Sequence, residues 1–212
     1  MYVDAFFQRD ADIIKIVERS NEGKRIFKEY PVRYTFYHQD QRGKYQSIFG
    51  EPLSRVVAKN SKDFRKELAI HSNKKLYEAD INPIFVCLSE NYLNQDAPKL
   101  NVAFWDIEVD FDPERGYASP EDAFMPITAI AVHLQWLDTL VCFAVPPKTL
   151  TMAEAVEQVK DFPNTILFET EGEMLNAFLD IIEDADILSG WNSEGFDIPY
   201  TLKRVIKVLR KE

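Results

Sequence analysis

The sequence NVAFWDIEVDFD, residues 101–112, runs from apolar residues directly into a group of carboxylates. β-Branched and aromatic side chains dominate its first half, and no Gly or Pro interrupts it, which predicts a buried strand. Side chains alternate along a strand at about 3.3 Å per residue, so Asp106 and Glu108 would share one face roughly 6 to 7 Å apart. That spacing suits a shared metal cluster, because carboxylates that are costly to bury alone are well matched by a hard cation. The alternative is that the strand ends at Asp106 and both acids are solvated.

A second stretch, ADILSGWNSEGFDIPY at residues 185–200, again leads from a short apolar strand to an acid. Gly190 closes the strand, and Pro199 is tolerated only in the first turn of a helix, so a helix is predicted to begin near Asp197. The apolar residues that follow at helical spacing are Ile198, Leu202, Val205, Ile206 and Leu209. Asp197 is therefore either the N-cap of this helix or a further carboxylate of a functional site.

Together the two stretches resemble the first and second exonuclease motifs of family B DNA polymerases, most closely the T-even-phage-like branch. The first motif is an Asp-x-Glu at a strand end, which Asp106 and Glu108 match. The second is an Asn followed, after three residues, by Phe-Asp, which Asn192, Phe196 and Asp197 match. The motifs occur in the family's order, about ninety residues apart, and the similarity covers essentially the whole chain.

The resemblance implies a 3′-to-5′ proofreading exonuclease that uses two Mg²⁺ or Mn²⁺ ions to hydrolyse DNA. On this basis Asp106 would bind both ions, Glu108 would bind one and help place the attacking water, and Asp197 would bind the second. Asn192 and Phe196 match the positions that place the terminal nucleotides, although Phe196 could equally be packing core. The implied partners are single-stranded or primer-template DNA, the remainder of the polymerase chain and, through the part that is missing here, a sliding clamp.

The expected fold class is α/β (α+β), with a β-rich N-terminal domain over residues 1–99 and a partial ribonuclease-H-like exonuclease domain with a mixed sheet over residues 100–212. The polar stretch 94–99 marks the boundary. The family's third motif, Tyr-x-x-x-Asp, lies over a hundred residues after the second, a distance that this sequence does not reach before Glu212, and the polymerase motifs do not occur in it. We therefore expect the N-terminal part of a DNA polymerase, a nucleotidyltransferase, and little or no exonuclease turnover from this chain alone.

Turn signals and periodicity predict the individual elements of both domains. In the first domain, residues 13–18 and 24–30 form one hairpin, residues 32–37 and 45–49 a second, Ser61 caps a short helix, and residues 84–88 form a strand. In the second domain, strands are expected at 127–134, 140–145 and 165–168, helices at 151–159 and 171–182, and a mobile acidic loop at 111–126. The resulting order, β-β-β-α-β-α-β-α, is that of a ribonuclease-H-like core, as the resemblance implies.

Charge is divided unevenly along the chain, whose formal net charge is −10. Residues 24–75 hold 13 Lys or Arg against 5 Asp or Glu, a net +8, whereas residues 101–200 hold 3 against 20, a net −17. A basic half can meet phosphates, and an acidic half needs divalent metal to bring a phosphate close. Both halves could instead be ordinary solvated surface.

Aromatic residues also lie among the bases of the first domain. Tyr34, Phe36, Tyr37 and Tyr45 are interleaved with Arg33, Arg42 and Lys44. Such residues could stack and steer single-stranded nucleic acid, but strand core is the favoured interpretation of the aromatics.

Several classes of protein are disfavoured by what the sequence lacks. No apolar run approaches the roughly 20 residues of a membrane-spanning helix, and the acidic N-terminus is unlike a signal peptide, so we expect a cytoplasmic protein without a membrane partner, in the host cell if phage-encoded. The seven glycines form no phosphate-binding loop, and the three histidines share no ligand spacing. Two other functions stay open: a non-catalytic nucleic-acid-binding or interaction module, and another ribonuclease-H-like nuclease.

Overall fold

A computed structural model describes residues 2–210 as a mixed α/β structure with two compact units that divide between Lys99 and Leu100. The fold class predicted from sequence is confirmed, since β-rich sheets precede a mixed sheet with helices. Within the described residues, no helix has the length and apolar character needed to cross a membrane.

The first unit contains a three-stranded and a four-stranded sheet, in the orders β1-β2-β3 and β5-β6-β4-β7, with two helices. Its elements are β1 (Tyr2–Gln8), β2 (Ile13–Arg19), β3 (Arg25–Pro31), β4 (Tyr34–Gln39), β5 (Tyr45–Gln46), β6 (Pro52–Ala58), α1 (Ser61–Ile70), β7 (Leu76–Tyr77) and α2 (Pro83–Tyr92). The first predicted hairpin is confirmed, because β2 pairs antiparallel with β3.

The second predicted hairpin is wrong, because β4 pairs with β6 and β7 while the two-residue β5 pairs with β6. The turn itself is present, since the Gly43 amide donates to the Asp40 carbonyl at 2.9 Å, but the chain that follows it pairs with β6 and not with β4. Gly43 permits this close approach, since a Cβ atom there would lie 2.1 Å from the carbonyl carbon and oxygen of Leu53. The longer β6 thus takes the place beside β4 that the local turn signal assigned to β5.

Two further predictions in the first unit need correction. Asn60, rather than Ser61, caps α1, and its side chain accepts a hydrogen bond from the Asp63 amide. Residues 84–88 lie in helix α2 and not in a strand. A five-residue apolar run does not distinguish strand from helix; here Pro83 occupies the first turn and the Asn82 side chain caps it, which decides for the helix.

The second unit is built on a five-stranded mixed sheet in the order β13-β12-β11-β8-β14. Its elements are β8 (Val102–Val109), β9 (Phe111–Asp112), β10 (Gly116–Tyr117), β11 (Ile127–Leu134), a 3₁₀ turn (Gln135–Leu137), β12 (Thr139–Ala144), α3 (Met152–Val159), β13 (Thr165–Leu167), α4 (Glu171–Ile181), β14 (Ile187–Ser189) and α5 (Asp197–Leu209). Strands β8, β11 and β12 are antiparallel neighbours, whereas β13 and β14 add parallel at the two edges. The predicted order of strands and helices is confirmed.

The predicted loop at 111–126 is more ordered than its composition indicates. It contains the small hairpin of β9 and β10, and two of its residues, Ala118 and Ala123, are buried in the core. Its proline and acidic residues are compatible with this structure, because β9 and β10 have only two residues each and most of the segment lies at the surface.

Candidate active site

Strand β8 separates its side chains into a core face and an open face. Ala103, Trp105 and Ile107 are buried, and the Trp105 ring stacks on Phe178 of α4 at 4.9 Å between centroids. Burial of the odd-numbered positions fixes the register of the strand, since a slip by one residue would expose all of them. The alternate positions are exposed, so Asp106 and Glu108 lie on the same open face, as the sequence predicts.

Among residues 2–210, no strand pairs with the edge of β8 beyond β14. Strand β14 pairs with β8 only along residues 102–104, and the chain then turns away at Gly190. A Cβ atom on Gly190 would lie 2.3 Å from the Trp105 carbonyl oxygen, so a residue without a side chain is required where the chain passes β8. This turn brings the start of α5 to the open edge of the strand.

Asp197 is the first residue of α5 and is 2% exposed. Its Oδ1 accepts a hydrogen bond from the backbone amide of Ile107 at 3.2 Å, which satisfies a donor on the open edge of β8. The N-cap interpretation of Asp197 is wrong, because Phe196 occupies the cap position and makes no side-chain cap bond. The carboxylate is directed at the strand that carries Asp106 and Glu108.

The electrostatic environment of Asp197 disfavours its charged form. Burial raises the pKa of its carboxyl; backbone hydrogen bonds, including that from Ile107, partly oppose the shift, and the adjacent Asp106 carboxyl raises it further through charge repulsion and a hydrogen bond. No Lys, Arg or His among residues 2–210 forms an ion pair with Asp197. The fold therefore buries one carboxylate against another without supplying a cation.

The chemistry of this carboxylate pair fits a hard divalent cation, since carboxylate oxygens are the ligands that Mg²⁺ and Mn²⁺ prefer. The structure brings Asp106 and Asp197 together but does not bring Glu108 to them. Across the described part of the chain, no three His, Cys, Asp or Glu side chains converge closely enough to hold one metal ion. Glu108 is two residues farther along β8, which places it roughly 6 to 7 Å away along the strand.

The two residues with predicted nucleotide contacts lie in the turn that leads into α5. Asn192 is exposed and has a left-handed backbone conformation, with φ of 53°. Its carbonyl oxygen accepts hydrogen bonds from the amides of Gly195 and Phe196, which close the turn. The Phe196 ring is half-buried against the core, 5.2 Å from the Tyr200 ring, so it has a packing role.

Helix α5 is held in place by residues for which the sequence predicts no role. Tyr200 donates a hydrogen bond to the Met125 carbonyl at 2.8 Å. Arg204 donates to Glu171 at 2.8 Å, and both side chains of this ion pair are nearly buried, 12% and 11% exposed. Glu171 also accepts from the Ile127 amide, so it ties α4 to both α5 and β11. Helical spacing places Tyr200 and Arg204 on one face of α5, but the distant Glu171 could not be paired with them from sequence.

Comparison with known proteins matches residues 61–211 to the family described as DNA polymerase family B, exonuclease domain. The chain belongs to this family. It is 27% identical over 225 residues to the DNA-directed DNA polymerase of Escherichia phage RB69, an alignment that covers 95% of the chain. It is 28% identical over 222 residues to the corresponding polymerase of Enterobacteria phage T4, with 92% of the chain covered. The chain spans 24% of the length of each of these relatives. The family match begins at α1, within the first compact unit.

Proposed function

We propose that the unit beginning at Leu100 is a metal-dependent 3′-to-5′ exonuclease that removes nucleotides from a DNA primer end. The observation that supports this most directly is the buried Asp197 carboxyl, held against Asp106 at the open edge of β8 without a cationic partner. A site that concentrates negative charge in this way binds a phosphate only if divalent metal joins it. Membership of the exonuclease family supports hydrolysis of DNA as the reaction.

Each carboxylate has a proposed task in a site with two Mg²⁺ or Mn²⁺ ions. Asp106 would contact both ions, Asp197 one of them, and Glu108 the other while orienting the attacking water. When bound, the ions would activate that water and offset the charge that develops on the phosphate. The Ile107 amide holds Asp197 in orientation, and the exposed Asn192 would contact the terminal nucleotides.

For the whole protein we propose template-directed DNA synthesis with proofreading, because both phage relatives are named DNA-directed DNA polymerases. The remainder of such a polymerase chain and a sliding clamp would be its partners. The exonuclease unit would then correct ends made by the same protein.

Metal binding tests the proposed site directly. Calorimetric titration with Mn²⁺ should show binding to the wild-type chain that is lost in Asp106→Asn and in Asp197→Asn, since each change removes a charged ligand. Asp180→Asn is the matched control, because Asp180 is an exposed acid on α4 and its loss should leave binding intact. Unchanged Mn²⁺ binding in both site variants would disprove the shared site.

Digestion of a 5′-labelled single-stranded oligonucleotide then tests the reaction. For the full-length protein, the expected result is a ladder shortened from the 3′ end in Mn²⁺ that is absent with Asp106→Asn, whereas the present chain alone should give little or no ladder. Metal binding with no digestion by the full-length protein would favour a non-catalytic module. Preferential cleavage of RNA would favour a different nuclease of the same fold.

A further inference from the structure

Helix α5 buries polar side chains along one face. Asp197 and Tyr200 are 2% and 0% exposed and the Arg204 side chain is 12% exposed, whereas Leu202 and Ile206 are more than half exposed. Residues three, four and seven positions apart share a face of a helix, so the three buried residues lie in one row. A surface helix normally buries apolar residues in such a row, because a polar group loses its water on burial and needs other partners. The position of α5 therefore depends on specific polar contacts.

Three side chains of α5 donate hydrogen bonds to backbone carbonyls in the segment between β8 and β11. Tyr200 donates to the Met125 carbonyl at 2.8 Å. Arg204 and Lys207 both donate to the Ala123 carbonyl, at 3.0 and 3.2 Å. This segment follows directly on the strand that carries two of the candidate carboxylates. Helix α5, which begins with the third, is thus fastened to the chain that leaves that strand.

The Arg204 guanidinium joins three elements of the unit. Its Nε and Nη2 atoms donate to the two carboxylate oxygens of Glu171 on α4, and its Nη1 atom donates to the Ala123 carbonyl. Glu171 also accepts a hydrogen bond from the amide of Ile127, the first residue of β11, at 2.9 Å. A planar guanidinium makes these contacts in one fixed geometry, which the flexible ammonium of a lysine does not reproduce. Arg204 therefore fixes α5 against α4 and β11 together.

Asp197 lies two turns of α5 before Arg204. Seven residues span about 10 Å, a length over which a helix moves as a rigid element, so a movement at Arg204 is passed on to Asp197. The Asp197 carboxylate accepts from the Ile107 amide at 3.2 Å, near the upper limit for such a bond. A displacement of about 1 Å would break this bond and change the distance from Asp197 to Asp106.

We propose that Arg204 is a positioning residue of the exonuclease site and acts through α5. Held by Glu171, it keeps the helix where Asp197 lies against the Ile107 amide. The same placement keeps Asp197 beside Asp106, where the two carboxylates can share a metal ion. Arg204 itself contacts neither metal nor DNA. Its effect on metal binding rests on the function proposed above, whereas the placement of Asp197 is measurable without metal.

Hydrogen exchange of the Ile107 amide in EDTA measures the placement of Asp197. NMR spectra of the whole chain would follow this amide together with that of Val132, which lies in the central strand β11 and serves as the reference. Arg204→Lys keeps the charge but loses the planar contacts. The Ile107 amide should then exchange about tenfold faster relative to Val132, the factor that corresponds to one lost hydrogen bond. Asp197→Ala gives the rate without the acceptor.

Mn²⁺ affinity, measured by calorimetric titration, tests the consequence for the metal site. Substitution of a residue that orients a metal ligand usually weakens metal binding about 10- to 100-fold. Arg204→Lys should therefore weaken Mn²⁺ binding about tenfold or more at a temperature where circular dichroism shows the chain folded. Arg204→Met, which also removes the charge, should have a larger effect.

Phe143→Leu is the matched control for a general loss of stability. It shortens a buried side chain on β12, which β11 separates from β8 in the sheet. The substitution should lower the stability of the unit through lost packing but leave Mn²⁺ affinity unchanged.

The two measurements separate this proposal from the function on which it rests. Faster Ile107 exchange in the Arg204 variants of a chain that binds no Mn²⁺ would support the placement of Asp197 by Arg204 and contradict the metal site. If the wild-type chain binds Mn²⁺, a wild-type value of either quantity in both Arg204→Lys and Arg204→Met overturns the proposal. Equal acceleration at Ile107 and Val132, or an equal loss of Mn²⁺ affinity in Phe143→Leu, would also overturn it, since Arg204 would then support only the fold.

Discussion

Two buried carboxylates, Glu18 in the first unit and Asp197 in the second, have opposite electrostatic environments. Glu18 is 7% exposed and accepts hydrogen bonds from the Lys28 ammonium at 2.8 Å and the Tyr92 hydroxyl at 2.5 Å. Burial acts to raise the pKa of Glu18, but the bonds from Lys28 and Tyr92 outweigh it, so the pKa lies below its ordinary value. The pKa of Asp197 is instead raised, by burial and by Asp106.

The difference separates carboxylates that stabilise the fold from one whose burial needs another explanation. The unit that contains Asp197 also contains the nearly buried ion pair of Glu171 and Arg204. This unit therefore does supply a cation to another carboxylate of low exposure. A buried charge without a partner is costly and persists where function requires it. Glu18 is thus balanced within the first unit, whereas Asp197 forms no ion pair among residues 2–210, which supports the metal site proposed above.

The largest expected effect is at Glu171. Replacement by Ala leaves the nearly buried Arg204 without its anion and the Ile127 amide without its acceptor, so the free energy of unfolding should fall by about 3 to 5 kcal/mol. Urea unfolding followed by tryptophan fluorescence measures this, because all three Trp residues lie in the second unit.

Glu157→Ala is the matched control for this change, since Glu157 pairs with Lys160 on the exposed surface of α3 and should contribute about 0.5 kcal/mol or less. If both substitutions lowered the free energy of unfolding equally, the Glu171–Arg204 pair would contribute no more than an exposed ion pair.

A smaller loss is expected at Glu18. Glu18→Gln should lower the free energy of unfolding at pH 7 by about 2 kcal/mol, mostly through the weakened bond to Tyr92, because the half-exposed Lys28 is screened by water. The folded pKa is below the unfolded value of 4.5, so this stabilisation is complete above that pH and disappears as the pH falls through the folded pKa.

Circular dichroism during urea unfolding at several pH values checks this behaviour. Glu29→Gln serves as the control, because Glu29 faces Lys15 on the exposed surface. If the difference in the free energy of unfolding between wild type and Glu18→Gln stayed constant down to pH 2, the stabilisation would not come from the charge of Glu18.

The smallest effect should have the opposite sign. In the absence of metal, Asp197→Asn should raise the free energy of unfolding by about 1 kcal/mol, because it removes repulsion from Asp106 and keeps an acceptor for the Ile107 amide. Tryptophan fluorescence in EDTA measures it, with the exposed Asp180→Asn expected to change nothing. A loss of stability would mean that the chain itself compensates Asp197.

Long elements whose apolar residues recur on one face could be predicted from sequence alone. The predicted bounds of β11 agree with the structure, and alternation along β8 places Asp106 and Glu108 on one face as expected. Short apolar runs could not be assigned in this way. Residues 84–88 form part of α2 because a capping Asn and a Pro in the first turn favour helix, and β4 pairs with the longer β6 rather than with β5.

By itself the sequence determined the family, the order of the main elements in the exonuclease unit and the carboxylates that are candidates for its site. These follow from local periodicity and from the residues of the two motifs. Only the tertiary structure decided their surroundings. Contacts between distant residues set the turn at Gly190, the bond from the Ile107 amide to Asp197 and the pairing of Glu171 with Arg204. The energy of a buried charge depends on its partners, which the fold brings close, so a carboxylate stabilises the chain at Glu18 and is left uncompensated at Asp197.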